Sequence, residues 1–346
     1  MKHIVSLADG TWLTPTLVAG GNIFSNIHRM NVYLKDQFAT DKNPQIVFYS
    51  RGLGAVSGIR KYTAGGFASG IREEIEDIYI NIASNYVDGD RIYLFGFSRG
   101  AVMARVVAGL IANVGLLKSG DLERFPDIWN IYKSGGLPED ASPPSYCQPK
   151  AKVEFLGVFD TVYGGNDNER KLERRLKFTG KRLSANVKHA IHILAIDEQR
   201  PFFRPLLWEE SDDHPSMEQI WMPGVHGDVG GIYPANLLGR VSFMVMIETV
   251  ASKTQLAFET KDLNQLKSSI QHDLTNNNVS VGLEWTVLWR VMCLGRKHYR
   301  VPSQKASKQF LHPIADELVG RYVNMRKEKT RPQYAFRKEF GHLNRR

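Results

Sequence analysis

Four apolar residues, Ile92-Tyr93-Leu94-Phe95, run straight into Gly96-Phe97-Ser98-Arg99-Gly100, and a helical pattern begins at Ala101. No other stretch restricts the chain as much. A strand that turns so abruptly into a helix lifts one side chain, here Ser98, above the carboxyl end of a parallel sheet. Gly96 and Gly100 fit this geometry because strand and helix approach too closely for a β-carbon on either side of a strained serine. A glycine-flanked serine in an ordinary strand-to-helix turn spells the same five letters. The apolar strand before it and the immediate helix behind it favour the sharper reading.

Strands are expected at 3–8, 45–50, 153–158 and 219–222 as well as before Ser98. Helices are expected at 26–38, 71–87, 101–114, 125–133 and 242–257. In the second of these, Ile71, Ile75, Ile78, Tyr79, Ile82 and Tyr86 recur at helical spacing. A further helical stretch is read at 185–191, carrying His189 and His192. Alternating strands and helices predict an α/β fold of the α/β-hydrolase type, a mostly parallel sheet with helices on both faces. Residues 1–257 are read as the catalytic domain, with a polar, Pro- and Gly-containing lid or insertion at 118–150 and a glycine-rich loop at 55–70. Residues 258–346 are read as a mainly helical extension, with a Trp/Leu/Met helix at 281–294 and a basic tail at 321–346.

Open parallel sheets bind ligands at the carboxyl ends of their strands. Four loops then converge: Asp9-Gly10-Thr11, Ser98-Arg99, Asp160-Thr161 and His226-Gly227-Asp228. Ser98, Asp160 and His226 follow one another in the order of the α/β-hydrolase triad. A serine hydroxyl attacks only when a base takes its proton, and histidine titrates near working pH. A buried carboxylate then fixes the histidine tautomer and stabilises its cation. The backbone N–H of Arg99, with one from Gly10 or Thr11, would hold the oxyanion. Alternatives stand beside these roles. Asp160 can cap a helix. Asp228 can orient the histidine in its place or hold the glycine-rich loop. His189, His192 and His214 compete with His226, which is preferred because it follows a strand and sits among glycines. Asp9, Asp160, His226 and Asp228 as mixed metal ligands match no recognised spacing, so no metal or cofactor is expected.

The net charge of +9 is concentrated at the end of the chain, where residues 321–346 hold nine Lys/Arg against two Glu. With Tyr322, Tyr334, Phe336 and Phe340 among them, these charges suit an anionic membrane surface, a nucleic acid or an acidic protein partner. A solvated, loose terminus is the plainer reading. Two cysteines, Cys147 and Cys293, make no disulfide framework. The start of the chain reads as a strand rather than a cleaved signal, and no run spans a bilayer. A cytoplasmic folding compartment is the expectation, with any export left to a specialised secretion system.

Ala8-Asp9-Gly10-Thr11-Trp12, Gly96-Phe97-Ser98-Arg99-Gly100-Ala101 and Gly157-Val158-Phe159-Asp160-Thr161-Val162 look like three signature blocks of one family. Ile196-Asp197-Glu198-Gln199-Arg200 with Phe203, and Trp221 through Gly231, complete the set. Over about residues 3–255 the chain resembles the bacterial and fungal α/β-hydrolase family, once of unknown function, that includes the first class of type VI secretion lipase effectors. Leu13 stands where relatives often carry asparagine, and Ile232 where a third glycine is common. The resemblance implies a serine hydrolase with Ser98 as nucleophile and Asp160 and His226 as partners, acting on lipid or phospholipid esters. A cytoplasmic carboxylesterase for a small soluble ester is the alternative from the same chemistry. A catalytically silent scaffold that binds nucleic acid or a partner through its basic tail is the alternative from another class.

Overall fold

The computed structural model describes residues 1–10, 24–35, 43–52, 70–138, 140–148, 151–164, 176, 178, 181–209, 214–233, 236–282, 298–326 and 332–346. Thr11, Leu13 and Cys293, the loop at 55–69 and nearly all of the expected 281–294 helix lie outside the described residues.

Among the described residues eight strands form the central sheet: β1 (His3–Ala8), β2 (Gln45–Ser50), β3 (Arg91–Phe97), β4 (Val153–Phe159), β5 (Val187–Ala195), β6 (Met217–Met222), β7 (Gln309–Leu311) and β8 (Asn344–Arg345). Their spatial order is β2-β1-β3-β4-β5-β6-β7-β8 and every pair is parallel. The expected α/β fold with a parallel sheet is therefore what the chain adopts. Strand order reverses between β1 and β3. Connections leave those two strands in opposite directions, and this opens a crevice at their carboxyl ends. The register brings those ends level: Ala8 lies beside Gly96, Phe97 beside Phe159, Phe159 beside Ile193, and Ala195 beside Met222.

Both faces of the sheet are covered, which is why its inner strands read as nearly continuous apolar runs. On one face α2 (Ile71–Asn85), α3 (Arg99–Asn113) and α4 (Phe125–Lys133) pack with Ile4, Ile92, Leu94, Leu156 and Val158. On the other, α1 (Asn26–Tyr33), α5 (His226–Val229), α6 (Leu237–Lys253) and α7 (Thr260–Thr275) pack with Val5, Leu7, Phe95, Phe155 and Ile193. α1 ends at Tyr33, short of the expected 38, with Leu34 already extended.

Two readings of the sequence change. The stretch at 185–191 is not helical: its residues enter β5, with His192 wholly buried inside the sheet. Residues 258–346 contain α7, yet they also supply β7, β8 and the parallel pair Ser280–Gly282 with Asn324–Arg326. The excursion at 118–150 is stitched at its base by Leu116–Leu117 against Cys147–Gln148. Its helix α4 buries Phe125, Ile128, Trp129 and Tyr132, and the Phe125 ring lies 5.3 Å from that of Tyr79.

Candidate active site

β3 ends in a residue that no ordinary turn would hold. Ser98 has φ 59° and ψ −121°, outside the regions a non-glycine residue favours. Its N–H donates to the Phe159 carbonyl of the neighbouring strand at 3.1 Å. It occupies the N-cap position of α3, but its hydroxyl makes no capping bond there. The two flanking glycines answer to sterics. A β-carbon at Gly96 would meet the Gly100 carbonyl oxygen at 2.5 Å, and one at Gly100 would run into the Ala8 carbonyl and lie 2.6 Å from that of Asp9. The dipole of α3 adds partial positive charge just behind the serine.

At the end of the next strand Asp160 also sits at positive φ, 41°. This turn aims its carboxylate along the sheet edge. Its Oδ2 accepts from Nδ1 of His226 at 2.6 Å, and its Oδ1 from the Ala195 N–H at 3.1 Å. Both oxygens also accept from one guanidinium: Arg300 Nη1 reaches Oδ1 at 2.5 Å and Nη2 reaches Oδ2 at 2.9 Å. All three side chains are buried. Burial alone would raise the Asp160 pKa. The Arg300 cation and the His226 bond outweigh it and hold the carboxyl well below the usual carboxylate range. Donation from Nδ1 places the proton of neutral His226 on that nitrogen, so Nε2 is the basic one. The ring lies between Phe97, stacked at 4.6 Å, and Phe203, edge-on at 4.8 Å.

The turn that delivers His226 is held by carboxylates on three successive amides. Gly224 N–H donates to Asp197 at 2.6 Å, Val225 N–H to Asp228 at 3.0 Å, and His226 N–H to Glu198 at 3.2 Å. Asp228 also accepts from the Gly282 N–H at 2.9 Å. Of the two acids weighed as the histidine's partner, Asp160 makes the bond and Asp228 holds the loop. Glu198 pairs with Arg200, whose cation brings it down to about 2 against the opposing effect of burial. Among the described residues Asp197 has no such cation. Burial pushes it up to about 7, and Asp228 and Glu198 nearby add to the rise.

Asp9 is buried at the end of β1 and braces the facing loop. Its carboxylate accepts from Ser25 Oγ and the Tyr49 hydroxyl, each at 2.6 Å, and from the Gly10 N–H at 2.7 Å. Burial nevertheless raises its pKa above the ordinary value. The Gly10 amide, expected to face an oxyanion, is thus turned onto Asp9. The competing histidines lie elsewhere. His192 Nε2 accepts from the Thr161 N–H at 3.0 Å, and burial, helped by Arg105, lowers its pKa well below the ordinary value. His189 meets Ser216 and His214 meets the Val187 carbonyl, both near the amino ends of β5 and β6. Asp9, Asp160, His226 and Asp228 form no ligand cluster, and no group of three His, Cys, Asp or Glu does so among the described residues.

Sequence reasoning missed Arg300, and gave Glu198, Arg200 and Phe203 no role although they stood inside a quoted block. For Arg300 the sequence holds no signal, since it lies 140 residues from Asp160 with no motif around it.

The profile of the family described as "T6SS, Phospholipase effector Tle1-like, catalytic domain" matches residues 2–249. Among curated proteins, the uncharacterized protein YEL023C of Saccharomyces cerevisiae is 30% identical over 232 residues, 59% of this chain and 32% of that protein. Solved structures resemble the chain as well. The Tle1 effector bound to the VgrG spike of the type 6 secretion system has a TM-score of 0.41 at 20% identity, covering 67% of this chain and 51% of that one. An uncharacterized protein from Pseudomonas aeruginosa has a TM-score of 0.49 at 17% identity, covering 74% and 46%. The chain spans about a third of the curated relative's length and about half that of the solved ones.

Proposed function

The chain belongs to the family of Tle1-like phospholipase effector catalytic domains, and from that premise we propose that it is a serine hydrolase cleaving acyl esters of lipids or phospholipids. The observation that carries the chemistry is the 2.6 Å bond between Asp160 and His226 Nδ1, in a site whose neighbouring strand ends in the strained Ser98.

In this reading Ser98 Oγ attacks the acyl carbon while its proton passes to His226 Nε2. The carbonyl electrons move onto oxygen, and the imidazolium is stabilised by the Asp160 carboxylate. Collapse expels the alcohol of the ester, which takes the proton from His226 and leaves Ser98 acylated. Water, deprotonated by the same nitrogen, releases the fatty acid and restores Ser98. The Arg99 N–H, at the first position of α3, is the oxyanion donor its place supports. Gly10 would have to exchange Asp9 for the oxyanion to serve as the second donor, and Thr11 is the other candidate for that place. A preorganised donor of this kind is worth about 3–4 kcal/mol. The low proton affinity of Asp160 keeps it ionised across the working pH range. Delivery by a type VI secretion apparatus belongs to the same proposal and rests on the family's name.

The test is fatty-acid release from phospholipid vesicles by the wild type and by Ser98→Ala. Release is expected from the wild type and a loss of about 10⁶-fold from the variant, the scale of removing a triad nucleophile. Equal release from both sinks the proposal. Turnover of short-chain soluble esters alone would move the substrate from a lipid surface to a small ester.

A further inference from the structure

Arg300 lies beyond the residues that the family profile matches, yet it reaches the centre of the site. Its guanidinium is buried and makes four bonds. Two go fork-on to Asp160, one goes to the Ala195 carbonyl at 2.9 Å, and one to the Phe203 carbonyl at 2.6 Å. Ala195 ends β5 beside Asp160, and the Phe203 ring packs against His226. One side chain from the C-terminal segment therefore joins the acid, the strand that flanks it and the aromatic wall of the base.

We propose that Arg300 is a positioning residue for the Asp160–His226 pair, fixing the carboxylate by its fork and tuning the basicity of His226 through the charge it shares. This rests on the serine-hydrolase reading above. A planar guanidinium matches a carboxylate at two points and fixes its rotation, which a single hydrogen bond does not. Asp160 is then held with Oδ2 toward Nδ1, as proton transfer at Nε2 requires. The charge acts separately. Part of the carboxylate's field is already spent on Arg300, so protonated His226 gains less from Asp160 than it would from an unpaired acid.

Other charged groups around His226, among the described residues, have partners or are neutral. Glu198 accepts its N–H and is itself paired with Arg200. Asp228, on the same short helix, is turned to the Val225 and Gly282 amides. His192 lies behind Asp160 and is held neutral by burial. The Phe97 and Phe203 rings carry no charge. Among the described residues, Arg300 is the cation that contacts Asp160 directly.

Two variants of the whole chain separate the parts. R300M removes both charge and fork, whereas R300K keeps the charge and loses the fork. The readouts are the rate of Ser98 labelling by a fluorophosphonate across pH, and the titration of His226 followed by NMR of labelled imidazoles. R300M should label about 10–100-fold more slowly at the alkaline plateau, the scale of a mispositioned catalytic group. Its acidic limb and its His226 titration should both move up by about one pH unit or more, because the pair now binds its proton more tightly. R300K should keep the wild-type limb and lose several-fold in plateau rate. A folded R300M with wild-type rate and limb overturns the inference. So does R300K with the wild-type plateau rate, and that arm holds even if R300M does not fold. A wild type that is not labelled defeats the serine-hydrolase reading, while the His226 titrations of wild type and variants still report on Arg300.

Discussion

Ser98 and Asp160 are held at positive φ at the ends of adjacent strands, and such strain costs about 1–3 kcal/mol at each. The surroundings that over-determine Asp160 are the buried Arg300 and the bonds from Ala195 and His226. Asp160→Asn tests this pair from the other side. It removes the acceptor that fixes the His226 tautomer and leaves the Arg300 cation without its counter-charge. Hydrolysis should fall about 10⁴-fold, and stability at pH 7 by about 3–5 kcal/mol. The sign of the pH effect follows from the depressed pKa of Asp160. Its contribution is complete above the unfolded carboxylate value of about 4 and is lost as pH falls below it. Denaturant melts of the two proteins should differ widely at pH 7 and converge toward pH 3. At this scale the sequence discloses what local sterics force. Gly96 and Gly100 betray the elbow because a β-carbon fits at neither. Asp160 stands out because it directly follows β4, and His226 because it lies among glycines shortly after β6. Arg300 is invisible because its role exists only after distant segments meet.

Elements were legible in proportion to how local their cause is. α2 shows its stripe of Ile71, Ile75, Ile78 and Ile82 because one face is buried and the other wet. α4 begins at Phe125 with Pro126 next, where proline suits a first turn. In β5, by contrast, Val187, Ala190 and Ile191 imitate helical spacing, and a buried His192 interrupts the apolar run. Its Nε2 accepts from the Thr161 amide of another loop, a partner that no local pattern announces. The same limit hides the triple carboxylate clasp on the His226 turn. Asp197 there is pushed up to about 7, so the folded state binds its proton more tightly than the unfolded one. Its stabilising effect is present below the unfolded value of about 4 and is lost as pH rises toward 7. Asp197→Asn removes that loss. The stability of the variant minus that of the wild type should increase between about pH 4 and 7, by at most about 1.4 kcal/mol per unit. Thermal or urea melts across this range check it, and a difference that stays flat rejects it.

On the scale of the molecule, the C-terminal residues are built into the sheet and the site. β7 and β8 extend the sheet from β6, Tyr334 donates to Asp197 at 3.0 Å, and Arg300 reaches Asp160. Four cations of the basic tail pair within the chain among the described residues. Arg321 meets Glu317, Arg337 meets Glu339, Arg345 meets Asp316 and Arg346 meets Glu218. Its aromatics divide similarly, with Phe340 buried and Tyr322 exposed. No helix among the described residues is long and apolar enough to cross a membrane. An extension that folded by itself would melt by itself, and the site would outlast it. Phe340 tests which holds, since its ring is 5.1 Å from that of Trp221 in β6 and both are fully buried. Phe340→Ala should cost about 3–5 kcal/mol, as a large ring lost from a packed core does. If the C-terminal segment and the catalytic sheet form one cooperative unit, circular dichroism and fluorophosphonate labelling should lose their signals at the same lowered midpoint. Labelling that survives past the first transition would show the two parts to be separable, and Arg300 would then be a visitor to the site instead of a part of it.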